Sequence, residues 1–198
     1  MAKAKKKPAV AKSKKEGPIE IKVVNIVVSA SLGKDIPLEK MAATLSNTEY
    51  NPEQFPGLVI RIKEPKTSAL IFSSGKIVCT GARSLDKVHE SIRKIIKSLE
   101  KINVKIKIEP EVNIQNIVAA GSIGMDLNLN VLAMKLENTE YEPEQFPGLV
   151  YKLLAPTKAT FLLFSNGKIV CTGTKSEEEV HIVVRKLVEN LKRVMSKK

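Results

Sequence analysis

The chain contains the same unit twice. Ten residues at 50–59, Tyr-Asn-Pro-Glu-Gln-Phe-Pro-Gly-Leu-Val, recur at 141–150 with one change. The ten at 72–81, Phe-Ser-Ser-Gly-Lys-Ile-Val-Cys-Thr-Gly, recur at 164–173, also with one change. The two offsets are 91 and 92 residues, a period that corresponds to a small domain and is too long for a solenoid repeat. We therefore predict two similar halves related by a pseudo-twofold axis.

The repeats leave a short N-terminal segment outside them. Residues 1–17 are rich in lysine and poor in apolar side chains, so we predict a disordered basic tail there. The first repeat is then predicted over 18–108 and the second over 109–198. The tail serves either as a solvated solubility segment or as a non-specific contact to DNA, and the sequence leaves both alternatives open.

Charge narrows the classes of partner. The 198 residues include 33 Lys and Arg against 21 Asp and Glu, which gives a formal net charge of +12. Such an excess favours polyanions, either nucleic acid or an anionic membrane surface. The sequence shows no apolar run of about 20 residues and no signal peptide. We therefore predict an intracellular protein without a membrane partner.

The residues that usually carry catalysis are scarce. Cys79 and Cys171 occupy equivalent places in the two repeats and are too few for a disulfide framework or a four-ligand zinc site. His89 and His181 are also equivalent and have no nucleophile motif or metal-ligand spacing nearby. We predict a protein that is not an enzyme, with no catalytic residues, no metal and no cofactor.

Hydrophobic periodicity predicts the same elements in each half: a strand, a short helix, an antiparallel meander of three strands and a long helix. In the first half these elements are predicted at 23–31, 37–45, 59–64, 68–73, 76–82 and 84–101. The core stripe of the long helix is predicted to be Leu85, Val88, Ile92, Ile95, Ile96 and Leu99. In the second half Ser176 and Glu179 suggest a capping box. Residues 102–108 alternate apolar and polar side chains, so the linker is predicted to be a strand.

The meander is apolar on both faces, although helices can cover only one face of an antiparallel sheet. The uncovered side is predicted to carry Leu70, Phe72, Val78 and their copies Leu162, Phe164 and Val170. A second copy of the chain, a small ligand or lipid, or a nucleic acid could cover it. Basic residues predicted at its rim favour nucleic acid; these are Arg61, Lys76, Lys152 and Lys168.

Four of the five phenylalanines form two equivalent pairs, Phe55 with Phe72 and Phe146 with Phe164. The hairpin is predicted to place Phe72 opposite Val59, near the loop that holds Phe55. A ring beside Pro-Gly at a loop is hard to bury within its own domain, so these rings are candidate wedges between bases. Phe161 has the opposite strand parity and is predicted to face the helices.

These residues and motifs, with Asn-Ile-Val opening each repeat at 25–27 and 116–118, resemble the TATA-box-binding protein family, and the short N-terminal region resembles its archaeal type. The resemblance covers about 180 residues. It implies an α+β fold: a pseudo-twofold saddle in which a curved antiparallel sheet of about ten strands carries four helices on its convex face. It also implies a general transcription initiation factor that binds and kinks the minor groove of TATA-box DNA.

The resemblance assigns roles to residues by motif. The wedges would be Phe55 and Phe72 at one end, Phe146 and Phe164 at the other, with Pro56 and Pro147 beside them. Hydrogen bonds to the bases would come from Asn25, Thr80, Asn116 and Thr172. Apolar contacts to the groove floor would come from Val27, Leu70, Val78, Val118, Leu162 and Val170. Phosphates would meet Arg61, Lys76, Lys152 and Lys168. Lys152 stands where an arginine is common, which weakens the case for a bidentate contact there.

Partners follow from the same resemblance. Besides double-stranded promoter DNA, it implies transcription factor B and the RNA polymerase pre-initiation complex, and a location in the cytoplasm on the nucleoid, or in the nucleus if the source is eukaryotic. Glu142 and Glu144 in the second repeat are predicted to contact a basic surface of transcription factor B. The alternative is a protein-interaction module that homodimerises through its apolar face without sequence-selective DNA binding; weak self-association without DNA is compatible with both.

Overall fold

The computed structural model describes residues 17–196, which form ten strands and four helices. The first half consists of β1 (Glu20–Ser31), α1 (Leu38–Thr44), β2 (Thr48–Glu49), β3 (Gly57–Ile62), β4 (Thr67–Phe72), β5 (Lys76–Ala82) and α2 (Leu85–Glu100). The second half consists of β6 (Val112–Ser122), α3 (Leu129–Lys135), β7 (Thr139–Glu140), β8 (Leu149–Leu153), β9 (Ala159–Leu163), β10 (Lys168–Thr174) and α4 (Glu177–Ser196). The predicted basic tail lies outside the described residues, except for Gly17.

All ten strands form one antiparallel sheet, in the order β2-β3-β4-β5-β1-β6-β10-β9-β8-β7. From the centre outward, the first half runs β1, β5, β4, β3, β2, and the second half runs through the equivalent strands β6, β10, β9, β8, β7. The pseudo-twofold axis therefore passes between β1 and β6. Ile26 pairs with Ile117 there, and each belongs to the Asn-Ile-Val triplet of its repeat. The predicted α+β architecture, a curved sheet with helices on one side, is confirmed.

The core lies between the sheet and the helices, because each long helix turns one apolar stripe toward the strands. Val88, Ile92, Ile95 and Leu99 of α2 are buried at the predicted spacing. Leu85 was predicted to join them but is 44% exposed. It is the first residue of the helix, and its equivalent in α4 is the charged Glu177, so the core stripe begins one turn later.

The linker prediction was wrong. Residues 102–108 form no strand. Ile102 and Val104 are buried, as the alternation indicated, but the segment packs along α2, where Ile106 and Ile108 border a groove with Ile92. Alternation reports only that one side of an extended segment is buried, whereas a strand also needs a neighbouring backbone with free hydrogen-bonding groups.

Two local predictions also need correction. Phe72 pairs with Gly57 and not with Val59, because the β3–β4 turn is centred between Glu64 and Pro65, one position earlier than expected. At the start of α4, the Glu179 N–H donates to Ser176 Oγ at 3.0 Å, as a capping box requires. The Glu179 carboxylate, however, accepts from the N–H of Lys175 and not of Ser176.

Among the helices of residues 17–196, none is both long enough and apolar enough to span a bilayer.

Candidate nucleic-acid interface

None of the helices in residues 17–196 covers the second face of the sheet, and we call this face the open face. In β5, Ile77 and Cys79 are buried beneath the helices, whereas Val78 and Thr80 point the other way and stay partly accessible. The same alternation in the other strands gives the open face an apolar floor that is half-buried throughout. This floor consists of Val27, Val59, Leu70, Val78, Val118, Val150, Leu162 and Val170.

Two pairs of phenylalanine rings lie at pseudo-equivalent places on this face. The ring centroids of Phe55 and Phe72 are 5.9 Å apart at an interplanar angle of 64°. Those of Phe146 and Phe164 are 6.0 Å apart at 67°. Phe55 and Phe146 are each 41% exposed although they are large and apolar. Phe161, in contrast, is fully buried on the helix side, as predicted. Phe55 and Phe146 therefore each pack against the partner ring and leave the rest of their surface accessible.

Two glycines that sequence reasoning missed make room for these rings. A Cβ on Gly57 would lie 2.6 Å from Phe55 Cε1 and 3.2 Å from Phe72 Cε1. A Cβ on Gly148 would lie 2.6 Å from Phe146 Cε1 and 3.1 Å from Phe164 Cε1. Pro-Gly after the loop phenylalanine in both repeats was the available signal, which we had interpreted only as a turn. Pro56 and Pro147 are exposed beside the rings.

Polar groups flank the pseudo-twofold axis in two equivalent clusters. Asn25 Nδ2 lies 3.0 Å from Thr80 Oγ1, and Asn25 Oδ1 accepts from the N–H of Gly81 at 2.7 Å. The β1–β5 register shifts here, so Gly81 belongs to a bulge, with a φ of 99° that suits glycine. The bulge fixes the amide, because its oxygen is held by a backbone N–H.

The second cluster repeats the first closely. Asn116 Nδ2 lies 2.9 Å from Thr172 Oγ1, and Asn116 Oδ1 accepts from Gly173 N–H at 2.8 Å. An amide nitrogen carries two hydrogens, so each asparagine retains one that can be donated outward. The structure thus places two oriented donors at the centre of a largely apolar floor. Gly81 and Gly173 were not identified from the sequence as part of the site.

The predicted cations lie on the open face and are exposed. Arg61 forms an ion pair with Glu49 at 3.2 Å, and Lys152 forms one with Glu140 at 2.5 Å. Exposed pairs of this kind contribute little stability, so either cation can exchange its carboxylate for another anion. The two glutamates had not been predicted, although Thr-Glu recurs in both repeats. Lys76 and Lys168 begin β5 and β10 and are also exposed.

Burial keeps the thiols of both cysteines protonated. Loss of hydration raises the pKa of the Cys79 thiol to about 11 and that of Cys171 to about 12. Both thiols are therefore neutral at physiological pH and pack as small apolar groups. Within residues 17–196 no group of three or more His, Cys, Asp or Glu side chains is arranged to hold a metal ion.

Glu142 and Glu144 lie in the loop between β7 and β8 and are exposed. The main-chain oxygen of Glu142 accepts from the N–H of Phe146 at 3.0 Å. The carboxylates and the ring therefore share one short loop, and the same loop of the first repeat has Asn51 in place of Glu142.

Comparison with known proteins shows the same two-repeat arrangement. The family model of transcription factor TFIID, or TATA-binding protein, matches residues 20–102 and again 111–194. The chain belongs to the TATA-binding protein family. It is a transcription factor of archaeal type within this family of DNA-binding proteins, and the family is not known as an enzyme family.

Several members are similar over nearly their whole length. The TATA-box-binding protein of Methanosphaera stadtmanae is 53% identical over 173 residues, which cover 87% of this chain and 94% of that protein. The one from Methanocaldococcus jannaschii is 50% identical over 175 residues, 88% of this chain and 95% of that protein. A solved structure titled Methanococcus jannaschii TBP superposes with a TM-score of 0.83 at 49% identity, and covers 88% of this chain and 99% of that one. The open face is the side of the curved sheet opposite the four helices.

Proposed function

We propose that the chain is a general transcription initiation factor that binds the minor groove of TATA-box promoter DNA through its open face. The observation that carries this proposal is the two ring pairs, Phe55–Phe72 and Phe146–Phe164, each with one exposed ring, at pseudo-equivalent places on one apolar surface. A nearly twofold-symmetric ligand with two points of insertion fits such a surface. Duplex DNA has this symmetry in its backbone.

The floor between the ring pairs suits A·T base pairs. In the minor groove an A·T pair presents only acceptors, whereas a G·C pair adds the guanine amino donor. The valine and leucine side chains offer no acceptor, so an apposed guanine amino group would lose its hydrogen bonds to water without replacement. Asn25 and Asn116 each direct a donor toward acceptors that every base pair presents. Selection of A·T therefore operates by exclusion.

The rings act as wedges in this proposal. Apolar side chains of minor-groove binders, this family among them, insert between base steps, partly unstack them and kink the duplex. Unstacking costs a few kcal/mol per step and is offset by the larger surface that bent DNA contacts. The exposed cations Arg61, Lys76, Lys152 and Lys168 then meet phosphates and release condensed counterions.

Binding to two matched duplexes tests the proposal. One duplex carries a TATA-type site, and the other has G·C pairs at the centre of the same site. We expect tight binding to the first and a loss of roughly tenfold or more for each G·C pair, since a mismatched pair typically costs about 1–3 kcal/mol. Equal affinity for both duplexes, measured at one fixed salt concentration, would refute minor-groove recognition of A·T pairs.

We further propose that the second-repeat loop recruits transcription factor B, and through it RNA polymerase, on nucleoid DNA. Nearly equal halves give a complex of little polarity on a symmetric site, so a partner that distinguishes the two ends would set the direction there. Glu142 supplies a carboxylate that its equivalent Asn51 lacks, and Glu142 and Glu144 would face a basic surface of the partner.

Charge reversal at this loop tests the partner assignment. Glu142→Lys with Glu144→Lys is expected to abolish the ternary complex with transcription factor B in a mobility-shift assay and to leave DNA binding nearly unchanged. Glu53→Lys in the first-repeat loop is the control and should leave the ternary complex intact. Equal effects of the two changes would show that the loops are not distinguished.

The open face also offers an apolar surface to a second copy of the chain, and we propose weak self-association in the absence of DNA. Sedimentation velocity over a range of concentrations measures it. Addition of TATA duplex should release monomers if the same face binds both, and a dimer that persists on DNA would place self-association elsewhere.

A further inference from the structure

The pseudo-twofold symmetry of the open face is broken close to its centre. In the first half of the sheet Ser29 of β1 lies opposite Val78, and in the second half its equivalent Ala120 lies opposite Val170. The bulged position of β6 carries Gln115, whereas its equivalent in β1 is Val24. A serine–glutamine pair on one side of the axis thus corresponds to an alanine–valine pair on the other.

The polar pair is joined across the two central strands. Gln115 Nε2 donates to Ser29 Oγ at 2.8 Å. Both side chains belong to the open face, since Ser29 continues the parity of Val27, and Gln115 borders a groove with Thr160 and Thr172. The bond holds the glutamine amide next to Ser29. The strand partner of Ser29 is Val78, where the apolar row Val78, Leu70 and Val59 begins.

The apolar counterpart presents no hydrogen-bonding side chain. Val24 is 39% exposed. Ala120 borders an open-face groove with Val170 and Phe164, and Lys22 lies in the same groove. Lysine carries donors only, so neither these apolar residues nor Lys22 offers an acceptor. The groove is also lined by Glu20, Ser122 and Asn166, which carry acceptors, but their equivalents in the other half, Glu111, Ser31 and Ser74, carry acceptors too and so do not distinguish the two sides.

The two mirror positions beside the pseudo-twofold axis therefore differ in their acceptors. Gln115 Oε1 accepts no hydrogen bond within residues 17–196, and Ser29 Oγ retains a second lone pair beyond the one that Gln115 uses. Both can accept from a donor that enters along the groove floor. In the minor groove the only such base donor is the guanine amino group.

We propose that Gln115 and Ser29, joined across the two central strands, make the open face tolerant of a G·C pair at the position they contact, whereas Val24 and Ala120 exclude it at the mirror position. This inference rests on the proposed minor-groove binding and adds to it a source of orientation within the protein. On a site with one off-centre G·C pair, the chain binds with Gln115 and Ser29 over that pair.

Orientation is read from a cleavage reagent on one loop. An iron–EDTA group on Glu53→Cys, in the exposed first-repeat loop, cuts the duplex near the first-repeat end; the native cysteines are buried and do not take the label. A single G·C pair is moved stepwise through a palindromic A·T site, and the two cleavage patterns are compared at each position. We expect one position in each half-site at which one orientation exceeds the other by roughly tenfold, the cost of an unpaired buried donor.

Two matched double variants assign the effect to these residues. Gln115→Val with Ser29→Ala gives this position the side chains of its mirror position and is expected to abolish the orientation preference while lowering G·C tolerance. Val24→Gln with Ala120→Ser gives the mirror position acceptors and is expected to abolish the preference while raising G·C tolerance. All four positions are accessible or half-buried, and thermal unfolding verifies that each variant folds.

The outcomes separate this inference from the proposed function. Failure of the wild-type chain to bind the all-A·T duplex refutes minor-groove binding itself. Tight binding to that duplex with equal cleavage at both ends for every G·C position refutes the orientation role alone. A preference that survives Gln115→Val with Ser29→Ala assigns orientation to other residues and also refutes the inference.

Discussion

Asn25 and Asn116 illustrate how single residues of this protein depend on their partners. Each amide is fixed by the N–H of a bulge glycine and by a threonine hydroxyl, at nearly equal distances in the two halves. The sequence predicted both asparagines and both threonines as separate contacts to DNA. The structure joins them into preorganised units, which lowers the entropy lost when the amide donates to a ligand.

The wedge role is tested at single rings. Phe72→Ala and Phe164→Ala are each expected to reduce DNA bending, measured by end-to-end fluorescence transfer, more than they reduce the association rate. Affinity should fall roughly tenfold, since base–aromatic stacking contributes about 1–3 kcal/mol per base. Leu85→Ala, which truncates an exposed apolar side chain of α2, is the control and should change neither quantity. Unchanged bending in both phenylalanine variants would contradict the wedge role.

The buried thiols predict a pH dependence of stability. Burial raises the pKa of Cys79 from 9.0 to about 11, so the folded state retains a proton that the unfolded state loses. The contribution of this thiol is thus complete below pH 9 and declines as pH rises from 9 toward 11. Urea unfolding of the native chain and of Cys79→Ala at pH 7.5 and 10 measures it. From pH 7.5 to pH 10 the native chain should lose more unfolding free energy than Cys79→Ala does. An equal loss in the two chains would contradict the raised pKa of this thiol.

At the scale of the elements, the sequence pattern did not predict which neighbours the linker and the β4–β5 turn contact. The alternation at 102–108 reported burial correctly, yet the segment packs on a helix and not beside a strand. The turn was recognised from Ser-Ser-Gly, but its contact with the start of the first half was not. Leu32 N–H donates to the Gly75 carbonyl at 2.9 Å, so the turn is anchored by a segment 43 residues earlier in the chain.

Gly75, in the same turn, is sensitive to substitution because the backbone of Lys34 lies close to it. Its φ is 78°, and a Cβ would lie 2.2 Å from the carbonyl oxygen of Lys34. Gly75→Ala is therefore expected to lower the free energy of unfolding by at least about 2 kcal/mol, from left-handed backbone strain and overpacking. Ser74→Ala in the same exposed turn is the control and should stay within about 0.5 kcal/mol. Urea denaturation compares the two, and equal stabilities would contradict the close approach.

Across the whole molecule, two similar halves share one continuous sheet. The strand order is symmetric about β1 and β6, so the open face continues across the junction between the repeats. A single repeat would present one ring pair, half the floor and an unpaired central strand. Fusion in one chain fixes the distance between the two ring pairs, as the proposed insertion at two separate base steps would require.

The rim cations predict a salt dependence that belongs to the whole surface. If Arg61, Lys76, Lys152 and Lys168 each meet one phosphate, they contribute roughly −3.6 to the slope of log affinity against log salt, from about −0.9 per phosphate. Lys76→Gln and Lys168→Gln should each reduce the slope by about 0.9. Lys97→Gln, exposed on α2, should leave it unchanged. A flat profile for the native chain would count against phosphate contacts.

The sequence by itself determined the two-repeat plan, the apolar nature of both sheet faces, and the pairing of Phe55 with Phe72 and Phe146 with Phe164. These features follow from local periodicity and from self-similarity, which are properties of the chain before it folds. The positions of buried and accessible residues along β4, β5, β9 and β10 followed from the same alternation.

Tertiary structure alone decided the contacts between segments distant in the chain. Three such contacts each join different strands. They are the hydrogen bond from Gly81 N–H to Asn25, the ion pair of Arg61 with Glu49, and the hydrogen bond from Gln115 to Ser29. Their geometry depends on register and on bulges, and a shift of one residue sends every side chain of a strand to the opposite face. Local patterns fix which residues a strand turns toward each face, but only the folded sheet fixes which of them become neighbours.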